Sequence, residues 1–214
     1  QAEWYSAPIS APPEEAGRMY TLAPFSQEAH LRSVTDPVLR NGVCVALCDH
    51  WLTIVKRYPD VPSVNRIRPL TQRLPEALRH QQAYAALRAT VGRNEARREV
   101  GARLGLDYEE QTTIMRACVG MVGIRAKLAS DLGRIGAAAT WSMRFTGGGG
   151  HAIAGFRGLV SVTGNVHRAV MYIFDPNIGE YVGELSDLDA ILTDVFGKFP
   201  LYATVNEVHR TSEG

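Results

Sequence analysis

Between Val43 and Tyr58 the apolar side chains Leu47, Trp51, Ile54, Val55 and Tyr58 recur at intervals of three and four, which predicts an amphipathic helix. Pro59 ends it. Residues 60–73 mix several Pro and Arg and read as loop. Pro75 suits the first turn of a helix running to about Val91, and Asn94 suits the cap of a short one ending at Gly105. Asp107 with Glu110 three residues on approximates a capping box, from which Ile114, Cys118, Met121, Val122 and Leu128 would continue a further helix. The first two thirds of the chain thus read as mainly helical. Ahead of them, residues 1–24 carry Pro8, Pro12, Pro13 and Pro24 and read as an extended arm that packs on the body, residues 25–214, through Trp4, Tyr5 and Tyr20.

The pattern then changes period. Thr140 to Phe145, His151 to Val160 and Arg168 to Phe174 are short runs rich in β-branched and aromatic residues, as strands are. Thr163-Gly164-Asn165 supplies a turn between the second and third. Ser186 is placed to cap a helix through about Phe196, and Leu201 to Val208 gives a last strand after Pro200. Helices first and an antiparallel sheet second define an α+β fold.

Composition adds constraints. At 214 residues and 45% hydrophobic, the chain buries a full core as one domain with an arm. Its 23 Lys+Arg against 22 Asp+Glu leave no basic excess for electrostatic binding of nucleic acid. No apolar run approaches the roughly 20 residues of a membrane span. Gln1 to Pro13 lacks the basic and apolar regions of a signal peptide, and the chain reads as a piece excised or processed from something longer. Three cysteines give no disulfide framework, so the fold is expected to work in a reducing compartment.

The chemistry centres on one of those cysteines. Cys44 opens the first strong helix, where unsatisfied backbone N–H groups and the positive end of the macrodipole favour a thiolate, the nucleophilic form. Cys48, one turn on, and Cys118, in mid-helix, read as core. His151 follows four glycines, Gly147 to Gly150, and opens a strand, where close approach to a facing helix is easy. Asp175 ends an apolar strand and can hold a histidine by accepting its N–H, with Asn177 as the competing orienter. The glycine run lacks the Gly-Lys-Ser/Thr ending of a phosphate loop. Cys44, Cys48 and His50 would scatter around one helix, which argues against zinc; no metal or cofactor is implied. One thiol on a helix, then His and Asp on a later sheet, is the layout of papain-like enzymes.

Three motifs carry a resemblance. Asn41-Gly42-Val43-Cys44 with Leu47 and Trp51 following resembles the nucleophile segment of YopT/AvrPphB-type cysteine proteases. Gly150-His151-Ala152-Ile153-Ala154 is similar to their histidine strand, and Phe174-Asp175-Pro176-Asn177-Ile178-Gly179-Glu180-Tyr181 to their aspartate segment. The His-to-Asp interval is longer than in that family, and its extra residues, around Gly158 to Arg168, are expected in a hairpin. Cys48 stands where the family more often has a small residue.

The resemblance implies a papain-like fold, with the Cys44 helix packed on a sheet bearing His151 and Asp175, and peptide-bond hydrolysis through a thioester. It implies a bacterial effector or toxin domain that is secreted or translocated, acts on a protein substrate in the cytoplasm of a target cell, and in several members cleaves itself. An immunity protein or a secretion chaperone would be a further partner. A glutamine deamidase or transglutaminase using the same triad, and a non-catalytic interaction domain on the same scaffold, are the alternatives. For the oxyanion, the backbone N–H of Cys44 is one expected donor. Papain-like enzymes add a side-chain amide upstream of the cysteine; since Val38 and Leu39 cannot donate, Asn41 is the nearest one here, unless it only caps the helix.

Overall fold

The computed structural model describes residues 20–40, 42–116, 121–163 and 165–214. In chain order these form β1 (Thr21–Pro24), α1 (Gln27–Leu31), α2 (Pro37–Arg40), α3 (Cys44–Arg57), α4 (Ser63–Gln72), α5 (Leu74–Val91) and α6 (Arg93–Ala102). There follow β2 (Thr112–Arg116), α7 (Met121–Asp131), β3 (Ala138–Phe145), β4 (Gly150–Thr163), β5 (Val166–Asp175), β6 (Gly179–Gly183), α8 (Leu188–Lys198) and β7 (Val205–Glu213). The fold is α+β, with one seven-stranded sheet in the order β1-β6-β5-β4-β3-β7-β2, antiparallel at every pairing.

The central strands are apolar at consecutive positions because both faces of the sheet are covered. Ala152, Ala154, Phe156, Val170, Tyr172 and Phe174 join the core that α3 and α4 build on one face. Ile153, Met171 and Ile173, at the alternate positions, join Trp141, Leu128, Ile191, Leu192 and Val195 on the other. Where Trp141 crosses to β4 there is room only for Gly155: a Cβ there would lie 2.5 Å from the indole.

Helix α3 is buried at every position from Ala46 to Leu52, so its polar residues must find partners inside. The Asp49 carboxylate accepts from Arg97 of α6, His80 of α5 and the Tyr108 hydroxyl, while Arg97 also donates to Thr140 of β3 at 3.0 Å. Burial alone would raise the Asp49 pKa, but the Arg97 charge and the His80 and Arg97 hydrogen bonds outweigh it and hold it at about 2. Trp51 Nε1 donates to Glu180 of β6 at 2.7 Å, and Glu180 pairs with Arg66 of α4 at 2.5 Å.

The sequence patterns held for α3, α5, the three central strands and the hairpin at Gly158 to Arg168, whose ladder runs to the Thr163–Val166 pair, and α6 forms where expected but with Gly92 rather than Asn94 as its cap and its end at Ala102. Four further expectations are corrected. Residues 60–73 are not loop but hold α4, in spite of Pro69 in its interior. What holds the helix is Arg66, which donates to Glu180 and to the carbonyls of Tyr58, Pro59 and Val61. The capping-box helix from Asp107 does not form. Tyr108 turns inward to Asp49, Glu109 N–H donates to Ser212 and Thr112–Arg116 pairs with β7 as an edge strand, so helix resumes only at α7. The last strand starts at Val205, after a 3-10 turn at Pro200–Thr204, and Ser186 lies inside a second such turn capped by Glu184. Cys118, Trp4 and Tyr5 lie outside the described residues, and Tyr20 packs its ring 5.7 Å from that of Tyr181.

Glu180→Ala would leave the Arg66 guanidinium and the Trp51 N–H buried without their acceptor. A loss of roughly 3–5 kcal/mol is expected, read from the urea midpoint at constant slope.

Candidate active site

Cys44 is the first residue of α3, and the turn before it is built for exposure of that end. Gly42 sits at φ 106°, where only glycine is unstrained, and Val43 offers no capping side chain. The first-turn N–H groups are therefore met from elsewhere: Val43 N–H donates to Gln27 Oε1 at 3.1 Å and Ala46 N–H to Gln81 Oε1 at 3.4 Å. Cys44 is half-buried, whereas Cys48 is fully buried and its thiol donates to the Ala152 carbonyl at 3.5 Å. Burial pushes the Cys48 thiol well above its ordinary range, which keeps it protonated and inert.

His151, at the start of β4, meets Asp175, at the end of β5. Its Nε2 donates to Asp175 Oδ1 at 2.9 Å, both side chains being buried. With Nε2 so engaged, Nδ1 is the nitrogen left for the Cys44 thiol, which lies near enough to raise the imidazole pKa. Burial would lower the His151 pKa, but the Asp175 charge and hydrogen bond, followed by the contribution of Cys44, raise it to about 10. The imidazole is thus held as imidazolium through the neutral range, the state that stabilises a facing thiolate.

Asp175 is fixed by more than the histidine. Its Oδ1 also accepts from Asn177 N–H at 2.8 Å, an Asx turn around Pro176. Its Oδ2 accepts from the Tyr202 hydroxyl at 2.9 Å. The Tyr202 ring stacks on His151, with centroids 5.4 Å apart and planes 23° apart. Asn177, weighed as a competing orienter, turns away from the imidazole: its Nδ2 donates to Tyr202 at 3.1 Å, and its Oδ1 accepts from Gln27 Nε2 at 2.7 Å.

The three residues expected from sequence, Cys44, His151 and Asp175, thus come together from α3, β4 and β5. Asn41 lies outside the described residues. Sequence reasoning missed Gln27 and Tyr202. Gln27 lies in a short helix with no motif around it, and Tyr202 was assigned to a strand, whereas the 3-10 turn swings its ring under the histidine. Among the described residues no group of three His, Cys, Asp or Glu side chains could hold a metal ion.

No protein-family model matches the chain, and no curated protein matches it in sequence. Its fold is papain-like. Among solved structures it is similar to the avirulence protein AvrPphB of Pseudomonas, with a TM-score of 0.63 and 24% identity over 84% of this chain and 95% of that one. A further similar structure is PatoxP, a cysteine protease-like domain of the Photorhabdus asymbiotica toxin PaTox, with a TM-score of 0.45 and 10% identity over 94% of this chain and 55% of that one.

The raised His151 pKa makes a pH prediction. A group whose folded pKa lies above its ordinary 6.5 gives stability that is fully present below about 6.5 and is lost as pH rises through about 10. Urea titrations from pH 6 to 10.5 should show a decline over that window, and His151→Ala should flatten it.

Proposed function

We propose that this chain is a cysteine protease that hydrolyses peptide bonds through Cys44, His151 and Asp175. The observation that carries this reading is the His151–Asp175 pair at 2.9 Å, with Cys44 at the start of α3 near enough to raise the imidazole pKa. With His151 held as imidazolium, Cys44 Sγ attacks the scissile carbonyl carbon as the thiolate, its proton already resting on Nδ1. The tetrahedral intermediate collapses to a thioester, and His151 gives its proton to the departing amine. Water, deprotonated by the same nitrogen, then releases the acyl group and restores the thiol.

The intermediate needs donors at its oxygen. Gln27 and Gln81 take up the N–H groups of Val43 and Ala46, which leaves those of Cys44 and Val45 without an acceptor among the described residues. These N–H groups, at the positive end of α3, support an oxyanion site beside the sulfur. Asn41, just upstream, is the side-chain candidate to complete it.

The biological setting follows the same reading: a bacterial effector or toxin domain, residues 25–214 behind an arm of 1–24 whose Thr21–Pro24 end joins the sheet as β1, delivered to the cytoplasm of a target cell to cleave a protein there. The likeness of fold to an avirulence protein supports it. No helix among the described residues is long and apolar enough to cross a membrane.

Labelling with a thiol-reactive epoxide should be rapid and confined to Cys44. Cys44→Ala should abolish both labelling and the appearance of new protein N-termini in target-cell lysate, with the fold intact. Cys48→Ala should keep most activity, and a dead Cys48→Ala enzyme would refute the choice of nucleophile. Asp175→Asn should lose less than His151→Ala, since the amide can still accept from the imidazole. Conversion of glutamine side chains without new N-termini would instead identify a deamidase.

A further inference from the structure

The thiol and its acid–base partner sit on different layers of the fold, and one buried side chain bridges them. Gln27, 7% exposed, uses both ends of its amide. Its Oε1 accepts from Val43 N–H at 3.1 Å, in the turn that presents Cys44, and its Nε2 donates to Asn177 Oδ1 at 2.7 Å, in the loop that carries Asp175. From there Asn177 Nδ2 donates to Tyr202 at 3.1 Å, and Tyr202 donates to Asp175 Oδ2 at 2.9 Å. A backbone N–H can only donate, so the polarity of the whole chain of bonds is set at Val43. Gln27 must present oxygen there and nitrogen to Asn177, which in turn aims the Tyr202 proton at the triad acid.

The backbone around Gln27 is held as tightly as its side chain. Gln27 N–H donates to the Pro176 carbonyl at 2.7 Å, and Phe25 N–H to the Ile178 carbonyl at 2.9 Å. The amide is therefore anchored on the Asp175 side and reaches across to the Cys44 side.

We propose that Gln27 is a positioning residue for the triad, clamping the Cys44 turn to the Asp175 loop so that thiol and imidazole stay in register. This rests on the triad reading above. It gives α1 a task in catalysis although no α1 side chain touches the reacting atoms. A clamp that keeps thiol and imidazole in line sustains their ion pair, and that pair has its own signature: alkylation of the cysteine at mildly acidic pH, where a lone thiol is slow.

The test is the rate of Cys44 alkylation by iodoacetamide from pH 4 to 10, read on the Cys44 peptide by mass spectrometry, in wild type, His151→Ala, Gln27→Met and Gln27→Glu. Wild type should show an acidic shoulder that His151→Ala lacks. Gln27→Met, similar in size but with no hydrogen bonds, should lower the shoulder roughly tenfold or more. Gln27→Glu keeps the acceptor for Val43 and loses only the donor to Asn177, so it should fall between, and it carries the test if the Met variant does not fold. Gln81→Met, which touches only the other first-turn contact, should keep the shoulder. A shoulder retained by both Gln27 variants alongside a lower melting temperature would make Gln27 a strut and overturn the clamp alone. A wild-type profile matching His151→Ala would overturn the triad, and the clamp with it.

Discussion

Everything in this fold is arranged around a helix that has almost no solvent. Seven consecutive residues of α3 are buried, and one of them is an aspartate. A lone carboxylate in such a place is costly enough to unfold a domain; paired, it becomes an organiser. Asp49 collects His80 from α5, Arg97 from α6 and Tyr108 from the following loop, and Arg97 reaches on to Thr140 of β3. One charge thus fixes where three helical-half segments stand relative to α3 and to the sheet. Trp51, two residues on, repeats the device on another side through Glu180 and Arg66. Both clusters lie away from Cys44, so the stability of the helix is secured at its middle while its first turn stays open for chemistry.

The seating of α3 then decides which residues meet. The strand beneath it offers Ala152 and Ala154, side chains small enough for the helix to come close, and the Cys48 thiol touches the Ala152 carbonyl. His151 precedes Ala152 and so takes the alternate face of the pleat at the strand's start, where it is buried against the Tyr202 ring. It is therefore brought level with the first turn of α3 by packing that has nothing to do with catalysis. Asp175 follows from the β4–β5 ladder, which pairs Ala154 with Phe174 and so sets the end of β5 alongside the start of β4.

This explains what could be read in the sequence. Helical and strand periods gave α3, α5 and the three central strands, because burial of one face or two imposes a spacing that survives in the residue order. Cys44, His151 and Asp175 were legible as candidates because each sits at the end of such an element, although His151 and Asp175 are buried there. What was not legible depends on contacts between distant residues. Nothing local in Ser63–Gln72 favours a helix with Pro69 inside it; Arg66 and its acceptors do. Nothing local forbids a helix from Asp107; the pull of Tyr108 toward Asp49 does. Gln27 and Tyr202 were invisible for the same reason, since their partners lie far along the chain, 150 residues away for Gln27 and Asn177.

The choice between Asp175 and Asn177 as partner of the histidine shows how a local rule and a distant one combine. Either could accept the imidazole N–H. The Pro176 peptide, however, lets the chain turn with Asp175 Oδ1 taking the Asn177 N–H, which commits that carboxylate to the inside of the turn and faces it toward β4. Asn177 is then carried past the histidine to where Gln27 and Tyr202 wait for it. The consequence is electrostatic. A buried amide beside His151 would leave the burial penalty on its charged form uncompensated, whereas a buried carboxylate reverses the balance and holds the ring protonated. The turn that places an acid, rather than its amide neighbour, against the imidazole is what gives the thiol opposite a cation to face.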